Sequence, residues 1–124
     1  MFASVSTDGG TTFATPLRAS NDVGGPIAGT TSLPVLAAAG SGVLAVAYQN
    51  QLTNDRVHVY VATSIDNGLT WSYNDSRLDT GIGSAILPAI TATMVGLDAG
   101  AVIAWTDFRS GTGINGDIYT AVSH

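Results

Sequence analysis

Short apolar runs alternate with clusters of Gly, Ser, Thr, Asn and Asp along the whole chain. Runs of this length, bounded by turn-forming residues and rich in Val, Ile, Thr and aromatics, predict strands. The pattern places strands at Phe2–Ser6, Thr12–Ala19, Leu33–Ala38, Val43–Tyr48, Arg56–Thr63, Leu69–Leu78, Ile86–Val95, Ala99–Thr106 and Asp117–Val122. Polar loops are expected at Asn21–Ser32, Gln49–Asp55, Asp79–Ser84 and Asp107–Gly116. No segment carries a helical apolar period, so the expected class is all-β. Two longer apolar stretches, Pro34–Tyr48 and Ser84–Trp105, are broken by Gly40-Ser41-Gly42 and by Pro88, Gly96, Asp98 and Gly100. Each reads as two buried strands joined by a Gly turn, and neither reads as a membrane span.

The pattern repeats. Phe2, Tyr60 and Tyr119 are spaced by 58 and 59 residues, and each has a Ser four positions on: Ser6, Ser64 and Ser123. Between these anchors Arg18 matches Arg77, Pro34 matches Pro88, and Ala45-Val46-Ala47-Tyr48 matches Val102-Ile103-Ala104-Trp105. The chain therefore reads as one unit, 1–124, of two repeats, about 2–59 and about 60–118, with a redundant strand at 117–122. After the first strand of each repeat comes one short motif. It is Ser6-Thr7-Asp8-Gly9-Gly10-Thr11-Thr12-Phe13 in the first and Ser64-Ile65-Asp66-Asn67-Gly68-Leu69-Thr70-Trp71 in the second. The Asp carboxylate can accept backbone N–H groups within a turn, and the Gly can take a left-handed angle. The closing aromatic, Phe13 or Trp71, has an apolar body to bury.

The shared pattern Ser-x-Asp-x-Gly-x-Thr-Trp/Phe resembles the Asp-box, or bacterial neuraminidase repeat. In that family the motif joins the third and fourth strands of a β-propeller blade and is a folding element remote from any active site. The resemblance implies blades of four-stranded antiparallel sheets. It gives Ser6, Asp8, Gly10, Thr12, Phe13, Ser64, Asp66, Gly68, Thr70 and Trp71 structural roles. Since a blade buries its faces only against neighbours, two blades leave bare sheets. Completion of the propeller by homo-oligomerisation is therefore expected, with a trimer of two-blade units as the first choice. The alternative is that the chain is a piece of a longer propeller.

Composition narrows the function classes. Hydrophobic residues are 45% and charged ones 10%, and the chain has neither Lys nor Glu. Such a sequence is not a disordered one, and it lacks two good helix formers. A formal charge of −5 argues against nucleic acid and anionic membrane surfaces as partners. Zero Cys excludes disulfides and thiolate metal sites. Met1–Val5 reads as a strand with no basic region ahead of it, so no targeting segment is read there.

The loop from Trp105 to Tyr119 holds the most specific polar pattern. It resembles the Trp-x-Asp-x-Arg…Asp-Ile-Tyr signature of Asp-box repeats. Asp107, Arg109, Asn115 and Asp117 could meet at a propeller mouth, with Asn50 and Arg56 in the corresponding loop of the first repeat. The plainer reading is an ion pair, Asp107–Arg109 or Asp117–Arg109, that holds the loop's shape. Asp107, Asn115 and Asp117 also have the oxygen chemistry for Ca²⁺; no other metal and no cofactor is expected. Sialidases, as the resemblance implies, use an arginine cluster, a Tyr nucleophile assisted by Glu, and an Asp acid/base. This chain has four Arg and no Glu, and Arg18 and Arg77 recur at equal repeat positions as structural residues do. His58 and His124 show no catalytic or metal-ligand spacing. Tyr48, Tyr60, Trp105 and Tyr119 recur by repeat and read as packing, whereas Tyr73 has no counterpart and could stack on a sugar. Asn74-Asp75-Ser76 is a glycosylation sequon. The leading expectation is a non-enzymatic extracellular or cell-surface binding or scaffold module, with glycan as the candidate ligand. The runner-up is a fragment of a sialidase-like glycoside hydrolase. A third reading is a self-assembling propeller unit without ligand.

Overall fold

The computed structural model describes residues 1–20, 30–51, 56–72, 76–95, 98–109 and 116–123. Among them there is no helix, and the strands form three antiparallel sheets. The N-terminal sheet pairs β1 (Phe2–Ala3) with β2 (Leu17–Arg18). The central sheet runs β3 (Thr30–Gly40), β4 (Val43–Gln51), β5 (Val57–Ser64), β6 (Ser76–Arg77). The C-terminal sheet runs β7 (Ala85–Val95), β8 (Asp98–Asp107), β9 (Asp117–Ser123).

The sheets lie in three layers because the central one is apolar on both faces. Along β4, Ala45 and Ala47 point to one side and Val46 and Tyr48 to the other, as the two-residue strand period dictates. Ala45, Ala47, Val59 and Val61 pack against Ala85, Ala101, Ile103 and Trp105 of the C-terminal sheet. Val46, Tyr48, Ala62 and Trp71 pack against Ala19, Ala3 and Met1 on the N-terminal side. Gln49 crosses between layers, its buried Oε1 accepting the Leu87 N–H at 2.7 Å. In each larger sheet one aromatic pair sits directly across two strands. Tyr48 stacks on Tyr60 with centroids 5.7 Å apart, and Trp105 on Tyr119 at 6.4 Å.

Positions matched across the two halves of the sequence share register. Phe2 pairs with Arg18 as Tyr60 pairs with Arg77, and Tyr48 with Tyr60 as Trp105 with Tyr119. Both Leu33 and Leu87 stand at a register shift, just before Pro34 and Pro88, with left-handed φ of 47° and 54°. A non-Gly residue there carries strain of about 1–3 kcal/mol.

The outer strands are shorter than the sequence pattern indicates. Among the described residues, the expected Thr12–Ala19 and Leu69–Leu78 strands keep ladder pairing only at β2 and β6, and Phe2–Ser6 only at β1. These are edge segments where isolated backbone bonds, such as Ala14 N–H to the Val5 carbonyl and Ser72 N–H to the Thr63 carbonyl, are supplemented by side chains. Pro16 has no N–H to offer. Ser4 donates its hydroxyl to the Ala14 carbonyl, and the Ser72 hydroxyl accepts the Thr63 N–H at 3.0 Å. Conversely, Thr30–Ser32 and Gln49–Gln51 are strand, not loop as expected, because they pair with each other across β3 and β4.

Candidate functional site

The two Ser-x-Asp turns share one hydrogen-bond pattern. Ser6 donates to the Asp8 carboxylate at 2.7 Å, and its oxygen accepts the Gly10 N–H at 2.8 Å. Asp8 in turn accepts the Thr12 N–H at 2.9 Å and the Thr12 hydroxyl at 2.6 Å. In the second turn the corresponding distances are 2.8 Å and 2.9 Å at Ser64, then 2.8 Å and 2.5 Å at Asp66. Gly10 and Gly68 both have left-handed φ, as does Asn67, the one residue other than Gly in the turns that does so. The Thr12 hydroxyl, then its amide and the Ser6 hydroxyl, hold the Asp8 carboxyl down to about 2 from its ordinary 3.8. Thr70 lowers Asp66 in the same way. These carboxylates face inward to the turn. The second turn leans on the β3–β4 turn, with the Asn67 N–H donating to the Gly42 carbonyl at 2.8 Å.

Another polar cluster gathers at the end of β8, beside Arg56 and the segment that follows β6. Asp107 is 1% exposed and directly opposite Asp117 in the ladder. Its carboxylate accepts the Trp105 indole N–H at 3.0 Å, the Arg109 backbone N–H at 2.8 Å and the Arg109 guanidinium at 2.7 Å. Burial works against its ionisation, but these donors outweigh burial and hold the carboxyl below its usual value. The same bond to Asp107 raises Arg109, whose guanidinium also lies 3.6 Å from the centre of the Tyr119 ring. The ion pair expected between Asp107 and Arg109 is therefore present, and it closes over β9.

A second buried acid, Asp79, stands where the first half of the chain has Ser20. It accepts the Val59 N–H at 2.9 Å and bonds His58 Nδ1 at 2.8 Å and the Arg77 guanidinium at 2.9 Å. Ser20 does the matching task for Met1, accepting its amino group. The segment after Asp79 is gripped from three sides. Arg56 donates to the Ile82 carbonyl, Arg77 to the Gly81 carbonyl, and Arg109 lies so close that a Cβ on Gly81 would come within 2.5 Å of it. Gly83 is equally constrained, since a Cβ there would meet the Phe108 carbonyl oxygen at 2.1 Å.

Of the six loop residues singled out from sequence, Asp107 and Arg109 meet directly. Arg56 reaches the neighbouring Ile82, and Asp117 is exposed across the ladder from Asp107. Asn50 is half-buried at the end of β4 with an Oδ1 that finds no partner among the described residues. Asn115 lies outside the described residues, as do 21–29 of the expected loop, Tyr73, the Asn74-Asp75 part of the sequon and His124. Asp107, one of the expected Ca²⁺ ligands, has both carboxylate oxygens committed to donors of the protein itself. Among the described residues no three His, Cys, Asp or Glu side chains gather as metal ligands would. No helix among them is long and apolar enough to cross a membrane.

The His58–Asp79–Arg77 network is the feature that sequence reasoning missed. Its signal was the exchange of Ser20 for Asp79 at matched positions: one half had gained a carboxylate at a buried strand start, and a carboxylate there needs cationic partners. Comparison with protein-family models, curated proteins and solved structures yields no match to this chain.

Proposed function

We propose that this chain is a non-enzymatic binding or scaffold module, built of Asp-box propeller blades and acting outside the cell or at its surface. Its candidate ligand is a glycan, met by the loop end that carries Asn50, Arg56, Arg109 and Asp117. The observation that supports this reading is the employment of the acids. Asp8, Asp66, Asp79 and Asp107 each spend their carboxylate oxygens on backbone N–H groups and neighbouring side chains. A glycosidase needs carboxyls free to exchange protons with a substrate, as a pair in most families and, as the resemblance implies for sialidases, as an acid/base beside a Tyr nucleophile. These four serve as internal struts.

The rival reading, a piece of a sialidase-like hydrolase, draws on the convergence of Arg56, Arg77 and Arg109 on the 79–84 segment. Those guanidinium groups are engaged with Ile82, Gly81, Asp79 and Asp107, which leaves a substrate carboxylate to compete with them. A glycan array probed with the whole protein, run beside a fluorogenic sialoside assay, separates the two. Binding without turnover is the expected result. Sialoside turnover that falls on Arg109→Ala would replace the binding module with the hydrolase, and an array without any bound glycan would remove the ligand from the reading.

A further inference from the structure

We infer that Asn67 is a site of spontaneous covalent modification, deamidation through the Gly68 amide, and that the folded turn holds the reaction off until it opens. The chain has two Asn-Gly pairs, Asn67-Gly68 and Asn115-Gly116, and one Asp-Gly pair, Asp8-Gly9. A following Gly leaves its nitrogen the least shielded, having no side chain, and gives the backbone the most freedom to turn. In the reaction that nitrogen gives up its proton to hydroxide and bonds to Asn67 Cγ. The Cγ–Nδ2 bond breaks, and Nδ2 leaves as ammonia with a proton taken from water. Water then adds to one of the two carbonyls of the cyclic imide. Opening on one side leaves an aspartate at position 67. Opening on the other leaves an isoaspartate, whose main chain runs through the former side chain.

The turn supplies both the access and the restraint. Asn67 is exposed, so water and base reach it, whereas Gly68 is buried. The Gly68 N–H is donated to the Ser64 hydroxyl oxygen at 2.9 Å. That hydroxyl gives its own proton to Asp66 at 2.8 Å, so a lone pair faces the Gly68 nitrogen and opposes its deprotonation. Asn67 is fixed as well. Its N–H lies 2.8 Å from the Gly42 carbonyl, and a Cβ on Gly42 would come 3.1 Å from Asn67 Nδ2. Ring closure must turn the Gly68 nitrogen off Ser64 and toward Cγ, so the reaction waits for local opening. The first turn is the internal control. Gly9 stands there in place of Asn67. Asp8 does precede a Gly, but its carboxylate stays ionised on Ser6 and Thr12, and cyclisation at an aspartate needs the protonated acid.

The product cannot be rehoused. An isoaspartate adds one carbon to the main chain ahead of Gly68. Gly68 has no room to shift, since even a Cβ on it would stand 2.8 Å from Val5 and 3.3 Å from Leu44. A passing opening of the turn is thereby made permanent, at the point where the turn meets Gly42 and Val5.

Ageing the whole protein at mildly alkaline pH, then mapping its tryptic peptides by mass spectrometry, tests this. Cleavage at Arg56, Arg77 and Arg109 puts Asn67 and Asn115 in separate peptides. Enzymatic methylation of isoaspartate distinguishes it from aspartate. Deamidation at Asn67 is expected to be about tenfold or more slower in the folded chain than in guanidinium chloride at the same pH, because it needs the turn to open. Ser64→Ala should speed it about fivefold in the folded chain, the fold-change of one ordinary hydrogen bond. If that variant fails to fold, wild-type hydrogen exchange gives the same reading: across temperatures, deamidation must track exchange of the Gly68 amide. Asn67→Gly keeps the left-handed backbone, so it should fold, show no deamidation in that peptide and hold its melting temperature through ageing while the wild type's falls. Equal rates in the folded chain and in denaturant overturn the inference. So does an Asn67 that stays intact in denaturant, or an aged wild type that carries isoaspartate at position 67 with its melting temperature unchanged.

Discussion

The turns Ser6–Phe13 and Ser64–Trp71 are built by the same hydrogen bonds, yet they sit in opposite surroundings. The closing aromatic of the first, Phe13, is 65% exposed; that of the second, Trp71, is 6% exposed. A Cβ added to Gly10 would meet nothing, whereas one added to Gly68 would come within 2.8 Å of Val5. The second turn is covered because the N-terminal segment lies in front of it, and the first has no sheet before it among the described residues. Local sequence therefore makes the turn, and the neighbouring sheet decides what the turn is worth. The hydrogen bonds carry the geometry; burial of the aromatic carries most of the energy.

That division can be broken or sharpened by four comparisons. Trp71→Ala is expected to cost about 3–5 kcal/mol in denaturant unfolding, the usual range for a large aromatic removed from a packed site. Gly68→Ala comes next at about 2–4 kcal/mol, combining a left-handed backbone with a collision at Val5, while Gly10→Ala pays only the backbone part, about 1–2 kcal/mol. If the two Gly variants lose the same stability, coverage by Val5 is not what separates the turns.

The third comparison uses pH. Asp8 and Asp66 are both held below the usual carboxylate value, Asp8 at about 2 against 3.8. A depressed carboxyl contributes stability that is complete above its unfolded value and is lost as pH falls through the folded one. Melting temperature should therefore decline as pH drops from about 4 toward 2, and Asp8→Asn with Asp66→Asn should flatten that decline. Because the bonds match, the two single variants should flatten it to a similar extent; a one-sided effect would show that burial, not bonding, sets these acids. The smallest effect belongs to Phe13→Ala, within about 0.5 kcal/mol.

Most strand positions were legible because the central and C-terminal sheets are strongly apolar and bounded by Gly. Val43–Tyr48, Arg56–Thr63 and Asp117–Val122 lie within a few residues of β4, β5 and β9. The edge strands were not legible in extent, since Thr, Ser and Pro16 support an extended chain without a continuous ladder. At the loop end the Asp107–Arg109 pair could be read from spacing, because a single residue, Phe108, separates the partners. The His58–Asp79 contact spans a strand, a turn and an edge segment, and only pairing β5 with β6 brings its members together. Three layers also required knowing that both faces of β4 are covered, which a continuous apolar run permits but does not specify.

The central sheet's position between two covers has a consequence for opening motions. Amide exchange at β4 and β5 requires the backbone to part from its neighbours, and here parting one face still leaves the other sealed. The N-terminal pair, held by two ladder contacts, can detach with the rest intact, and β9 can fray from β8 at its open edge. The amides of Ala47, Tyr48, Val59 and Val61 should therefore exchange last, only when the whole chain opens, and those of Phe2 and Arg18 first. Protection would then rise and fall across the layers, so that the sequence's middle strands form a clock against which the opening of each outer sheet can be timed.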